Sequence, residues 1–277
     1  MTTGTLYLVA TPIGHLDDMS SRAVETLKQV DRIAAEDTRH SLALLRHFGI
    51  QTRCQSYHAH NESEQSSSLI SHLQNGESIA LISDAGTPLI SDPGCILVRK
   101  AHEAGIPVCP IPGPCAAIAA LSASGLSTTD FRFVGFLTAK GEKRQRELEQ
   151  LCQQPETIIL YESVHRIANL VDTLHDLMDG SRQVCLAREI TKRFEQIKTA
   201  PIADIHRWFW DHPDTHKGEY VVIIEGAVAQ ADTHQITQTL DILLAELPVK
   251  KAAEVASKLT GERKNKLYEL ALNLKKT

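Results

Sequence analysis

The sequence lacks most of what would place it in a membrane, in an oxidising compartment or on a nucleotide triphosphate. No run approaches the ~18 consecutive apolar residues that a spanning helix needs. The N-terminal MTTGTLYLVATPIG has no basic segment ahead of its short apolar stretch. That stretch has the length of a buried strand, so neither a signal peptide nor an anchor is expected, and the chain reads as soluble and cytoplasmic. Six cysteines (Cys54, Cys95, Cys109, Cys115, Cys152 and Cys185) occur without a C-x-x-C pair. Neither a disulfide framework nor a cysteine-based zinc site is expected, which fits a reducing compartment. No G-x-G-x-x-G follows the first strand-like run, and no G-x-x-x-x-G-K-S/T occurs. Dinucleotide and triphosphate binding are left without their usual fingerprints. There is no internal repeat and no low-complexity tract.

What is present is the composition of a globular protein with a core, 42% hydrophobic and 23% charged over 277 residues. That length suits two domains and a small appendage. The net charge of −5 is unevenly spread. Residues 248–277 carry eight Lys/Arg against three Asp/Glu, a net +5, whereas the remainder carries 21 against 31, a net −10. A basic tail on an acidic body suggests an anionic partner for the tail; a solvated helix face is the plain alternative.

Short strand-like runs at 6–10, 32–35, 79–83, 107–111, 131–136, 157–161, 183–187 and 220–224 alternate with helical patterns at 20–30, 40–48, 62–74, 94–104, 142–152 and 164–178. Alternation of this kind predicts an α/β fold with largely parallel sheets. The small, turn-rich ASGLSTTD at 123–130 marks one break and residues 226–233 a second. The domains expected are 1–126, 127–229 and 230–277. The last is helical: 235–246, then 249–259, a Thr260–Gly261 turn, and 262–274. Val249, Ala252, Ala253, Ala256 and Leu259 share one face of its middle helix, and Leu267, Leu270, Ala271 and Leu274 one face of the last. Arg263, Lys264 and Lys266 are left outward at a helix start.

Three Gly/Pro-rich loops follow strands: Thr11-Pro12-Ile13-Gly14, the run from Asp84 to Gly94, and Pro112-Gly113-Pro114-Cys115-Ala116-Ala117. In an open α/β sheet ligands bind beyond the carboxyl ends of the strands. Such loops build a rigid, weakly charged cleft lined by backbone, suited to an adenosine with a zwitterionic tail and no phosphate. A second constellation is Glu36-Asp37-Thr38-Arg39-His40 with His58-Ala59-His60-Asn61-Glu62. If 58–62 is extended, His58, His60 and Glu62 share a face. They could then hold zinc or iron, supply acid/base groups, or form a polar loop in which Asn61 caps the following helix. Tyr161-Glu162-Ser163-Val164-His165-Arg166 and Arg188-Glu189-Ile190-Thr191-Lys192 also follow strands, their charges facing the cleft or each other.

LYLVATPIGHLDD, AAEDTRH, SDAGTPLISDPG, PGPCAA, LYESVHR, LARE with TK, and KGEYVVIIEG occur in order along the whole chain. Together they resemble the ribosomal RNA small subunit methyltransferase I family (RsmI), within the tetrapyrrole methylase superfamily. The resemblance implies two α/β domains of the tetrapyrrole methylase type with S-adenosyl-L-methionine between them, and a homodimer. It implies 2′-O-methylation of a cytidine in the decoding region of 16S rRNA, within the small ribosomal subunit. The tail LPVKKAAEVASKLTGERKNKLYELAL is similar to the family's C-terminal helical module, which makes 230–277 a basic RNA-binding module.

On this basis Pro12, Ile13, Gly14, Asp84, Gly86, Thr87, Ile90, Pro114, Cys115, Tyr161, Ala187 and Glu219 are expected to bind the cofactor. Where superfamily relatives carry Gly-Asp-Pro, this chain has Gly86-Thr87-Pro88 with Asp84 just before, so the polar contact is open between Asp84 and Thr87. A ribose hydroxyl is a poor nucleophile and needs a base or a neighbouring charge; Glu36, His60 and Glu62 are the candidates. Arg39, Arg166, Arg188, Arg263, Lys264 and Lys266 are the candidates for RNA phosphate, and no metal is required. Three alternatives stand beside this: a metal-dependent phosphoesterase using His58, His60, Glu62 and Asp84, a non-catalytic RNA-binding assembly factor, and a small-molecule tetrapyrrole methylase.

Overall fold

A computed structural model describes residues 3–227, 233–260 and 263–274. The chain forms two compact units, residues 1–225 and 226–277.

In the larger unit, β1 (Leu6–Val9), β2 (Arg32–Ala35), β3 (Cys54–Ser56), β4 (Ile79–Ile82) and β5 (Val108–Ile111) form one sheet in the order β3-β2-β4-β1-β5. Every pairing in it is parallel. The helices between them are α1 (Ser21–Gln29), α2 (Thr38–His47), α3 (Glu62–Gln74) and α4 (Cys95–Glu103). Parallel strands need crossovers, and crossovers cover both faces. Accordingly Ala80 and Ile82 of β4 pack with Leu27 and Leu45 on one side, while Ile79 and Leu81 pack with Leu69, Leu73 and Leu97 on the other. Ser20 starts α1 by accepting a hydrogen bond from the Ala23 N–H, a stop-and-start signal that the sequence carries plainly.

The connection from β1 runs to one side of the sheet and that from β4 to the other, so a crevice opens where these two neighbours end. The loops after them are tied there: Thr11 and Gly86 exchange two backbone hydrogen bonds, of 2.9 and 3.1 Å.

The second sheet contains β6 (Phe131–Phe136), β7 (Thr157–Glu162), β8 (Gln183–Arg188), β9 (Gln196–Pro201) and β10 (Tyr220–Ile224) in the order β6-β7-β10-β8-β9. Only β6 and β7 are parallel; the other three pairings are antiparallel. The expectation of largely parallel sheets therefore holds for the first sheet and is corrected for the second. The cause is the short connection from Arg188 to Gln196, too short for a crossover, so that β8 and β9 form a hairpin. One face of the sheet is covered by α6 (Glu142–Cys152), α7 (Ile167–Leu177) and α8 (Ile202–Asp211). The other face, carrying Ile159, Cys185, Ala187, Val221 and Ile223, is covered by α5 (Ala116–Ser124) through Ala117, Ala120 and Leu121. This helix follows β5 of the first sheet, and Gly125 at φ +72° ends it, as a left-handed glycine ends many helices.

The smaller unit holds α9 (Thr233–Glu246), α10 (Val249–Thr260) and α11 (Lys264–Leu274) around Leu240, Ala253, Ala256, Leu267 and Ala271. Leu259, expected on the buried face of α10, is 68% exposed. The expected turn residue Gly261 and the helix start at Glu262 lie outside the described residues. Among the described residues no helix is long and apolar enough to cross a membrane.

Candidate functional site

The ends of β1, β4 and β5 and the far sheet enclose a cleft of about 360 Å³, within the range of small-ligand sites. Ile13 comes from the first loop, Asp84, Gly86, Thr87, Ile90, Ser91 and Asp92 from the second, and Cys115 and Ala116 from the third. Tyr161, Glu162 and Ser163 at the end of β7, Ala187 of β8, Glu189, Lys192 and Glu219 supply the opposite wall, with Phe136 at its edge.

The loops are locked to each other. Thr87 Oγ1 donates to the Pro114 carbonyl at 2.9 Å, and the Ala117 N–H, at the uncapped start of α5, donates to the Tyr161 hydroxyl at 3.2 Å. Gly86 has φ +84°, and a Cβ there would meet Ile13 at 3.2 Å. Among the described residues, Leu89 and Ser91 in the second loop and Glu189 and Thr191 after β8 also adopt positive φ without being glycine. Backbone of this kind persists only where the surroundings over-determine it, and it gathers at functional sites.

The cleft is acidic. Burial, followed by the charges of Asp92 and Asp84, holds the Glu36 carboxyl above its ordinary value. Burial and the charge of Asp84 do the same for Asp92, against a hydrogen bond with Ser83. The cation in the lining, Lys192, is tied to Glu189 at 3.0 Å and Glu219 at 2.7 Å. Burial works against the charges of this group, but the ion pairs win: Lys192 is raised and Glu189 lowered. A cleft rich in carboxylates, with its lysine already paired, suits a cationic ligand and repels a polyphosphate.

Of the residues expected to bind the cofactor, Ile13, Asp84, Gly86, Thr87, Ile90, Cys115, Tyr161, Ala187 and Glu219 line the cleft, while Pro12, Gly14 and Pro114 do not. Gly14 lies against the loop after β8 instead, where a Cβ would meet Lys192 at 2.5 Å. Pro114 contributes its carbonyl to Thr87. Asp84 lies in the wall and accepts from the Asp37 N–H at 3.0 Å, whereas the Thr87 hydroxyl is spent on Pro114.

Among the candidate bases, Glu36 lines the cleft and His60 and Glu62 do not. Residues 59–61 form a turn rather than an extended segment; the His58 and His60 rings still lie 5.9 Å apart, edge to face, while the Glu62 carboxylate is engaged elsewhere. The Glu62 carboxylate accepts hydrogen bonds from Tyr57 Oη and from the N–H groups of Gly94 and Ile96, which fixes the start of α4. Asn61 makes no side-chain cap; it accepts from the His58 N–H and donates to the Ser56 carbonyl. No group of three His, Cys, Asp or Glu among the described residues is placed to hold a metal.

Arg39 is exposed and paired with Asp37 at 3.1 Å. Arg166 binds Glu162, and Arg188 donates to the Lys217 carbonyl. Arg263, Lys264 and Lys266 are exposed in the smaller unit, with Lys264 3.8 Å from Glu254. Asp92 was not among the expected site residues. It lies in the same loop as Asp84 and Gly86, and its burial beside two other carboxylates has no counterpart in the sequence.

A family match sets the class of this fold and cleft: a methylase of the tetrapyrrole class. A model of the tetrapyrrole (corrin/porphyrin) methylases matches residues 5–206, and one of the RsmI C-terminal HTH domain matches residues 230–275. A solved uroporphyrin-III C-methyltransferase from Thermus thermophilus, complexed with S-adenyl homocysteine, shares the fold at a TM-score of 0.55 and 18% identity, over 79% of this chain and 97% of that one. The ribosomal RNA small subunit methyltransferase I of Pseudomonas aeruginosa is 50% identical over 276 residues, 98% of each chain. Its counterpart in Escherichia coli is 49% identical over 271 residues, 97% of this chain and 95% of that one. The chain belongs to the ribosomal RNA small subunit methyltransferase I family.

Proposed function

We propose that the protein transfers a methyl group from S-adenosyl-L-methionine to the 2′-hydroxyl of a cytidine in 16S rRNA, the cytidine 1402 that the family resemblance implies. The observation that carries this is the near-complete overlap with small-subunit methyltransferases at up to 50% identity, which spans both the cleft loops and the C-terminal helices. The residues present fit the methyl donor. Ile13, Ile90, Ala187 and the close backbone approach at Gly86 suit an adenosine, and Asp84 and Asp92 suit its hydroxyl and ammonium groups and its positive charge. When bound, that cofactor supplies a sulfonium-activated methyl group.

The chain's own residues must align the acceptor, exclude water and take up a proton. Glu36 is the group we assign to the proton. It lies in the cleft, and its raised pKa makes it a better base near neutrality than an ordinary carboxylate. Glu62 supports it indirectly by holding the end of the loop that carries Asp92. Arg39, Arg166 and Arg188 on the larger unit, and Arg263, Lys264 and Lys266 on residues 230–277, are assigned to RNA phosphates. The protein acts in the cytoplasm as a homodimer, on rRNA within the small ribosomal subunit.

Incubation with methyl-labelled cofactor and either small subunits or free 16S rRNA, followed by mapping of the modified nucleotide, tests the assignment. Label on a single ribose, retained in the presence of chelator, is the expected result. Label on a base, or none on either RNA, would overturn it. Activity abolished by chelation and restored by one metal would favour a metal-assisted variant or the phosphoesterase.

A further inference from the structure

A second cavity of about 420 Å³ opens beside the end of β7, walled by the loop before α6, the first turns of α6 and the start of α7. Lys140, Arg144, His165 and Arg166 line it, and none of its lining residues is acidic. The carboxylate that pairs with these arginines is Glu162, wholly buried and shared between Arg144 Nη2 at 2.7 Å and Arg166 Nε at 2.8 Å. Three fixed cations against one carboxylate leave the wall with an excess of positive charge.

The parts of the site are prearranged. Arg144 is only 6% exposed and is clamped by Glu162 and the Thr138 carbonyl. Lys140 and His165 make no hydrogen bond or ion pair among the described residues. Gly141 opens α6 at φ +86° with no side-chain cap, and nothing lies within 4 Å of where its Cβ would be. Fixed guanidiniums, an unengaged ammonium and an uncapped helix start make a set of donors for the oxygens of a phosphate.

The position decides which phosphate. Glu162 lines the main cleft between Tyr161 and Ser163, and its buried carboxylate anchors the arginines of the second cavity. The two cavities therefore lie on either side of the end of β7. We propose that the second cavity binds a backbone phosphate of the acceptor RNA while the ribose to be methylated occupies the main cleft. The inference rests on the rRNA assignment above and adds a docking point on the larger unit.

The double variant Lys140→Ala with His165→Ala tests it, since both side chains are exposed and neither is engaged in holding the fold. Arg146→Ala is the control: it removes a cation from the same helix, one paired with Glu142 and outside the cavity. RNA affinity across a salt series, methyl-transfer kinetics, calorimetric cofactor affinity and melting in inorganic phosphate at fixed ionic strength are measured on the full chain. In the double variant, Kd and KM for RNA should rise about tenfold, and the salt slope should fall by roughly 0.7–0.9. Its cofactor affinity, and its kcat at saturating RNA, should stay within about twofold of wild type, and Arg146→Ala should resemble wild type. Inorganic phosphate should raise the melting temperature of the wild type and not of the double variant. Unchanged RNA affinity and salt slope would overturn the proposal, and a phosphate effect without an RNA effect would assign the cavity to a small phosphate compound instead. A wild type that methylates no rRNA would sink the assignment under Proposed function alone, because the RNA-binding arm still decides the cavity.

Discussion

Glu36 and Asp92 sit in the cleft at a cost to the folded state. Burial is the main cause for both, and neighbouring carboxylates add to it, so each is harder to ionise than in the unfolded chain. The folded protein then binds more protons than the unfolded one between the ordinary and the raised values, and stability falls as pH rises through that window. Asp92→Asn should therefore raise the melting temperature at pH 8, and the gain should vanish below the ordinary value of 3.8; a pH series of thermal unfolding reads this directly. Glu36→Gln should lower kcat by about 10²–10⁴-fold with cofactor affinity changed little, and wild-type activity should fall with pH through the raised Glu36 value. Much of this site was legible in the sequence because loops after parallel strands converge by topology, and this brought Asp84, Gly86, Thr87 and Cys115 to one place. The roles of single acids were not legible. Glu62 and Glu36 look alike as letters, and only packing shows that one carboxylate is consumed by backbone N–H groups while the other faces the cleft.

Among the strands and helices, the loops and the strand ends they join carry the next tests. Gly86→Val forces a branched side chain into φ +84° against Ile13, so cofactor affinity should collapse in a protein that still folds. Gly113→Val should behave differently. Its Cβ would stand 2.9 Å from Ala10 Cβ at the end of β1, so the melting temperature should drop as well. Glu162→Ala strands Arg144 as a buried charge where β7, α6 and α7 meet, and should cost about 3–5 kcal/mol in chemical denaturation. The two strands that the sequence concealed share a character. The three-residue β3 and the polar β9 are both sheet edges, and edges bury too little to show a hydrophobic pattern. The antiparallel turn of the second sheet was hidden for the same reason, since it depends on recognising β9.

Across the full chain, the charge asymmetry and the division into units give one prediction. Among the described residues the cleft is lined by residues between 13 and 221, so truncation after Gly226 should leave cofactor affinity nearly unchanged. It should weaken RNA binding and flatten its salt dependence by about 0.7–0.9 for each phosphate that the protein no longer neutralises. Arg263→Glu with Lys264→Glu should act in the same direction, and unchanged RNA affinity in that variant would show that the smaller unit does not dock RNA. The helix α5 succeeds the first sheet in the chain but rests on the second. Synthesis runs from the N-terminus, so α5 leaves the ribosome about a hundred residues ahead of β10, the central strand of its seat. Until then its Ala and Leu face lacks the middle of its seat. The nascent first half can close its own sheet yet holds an unfinished binding wall. The cleft is thus complete only when the polypeptide has emerged almost to the end of the larger unit.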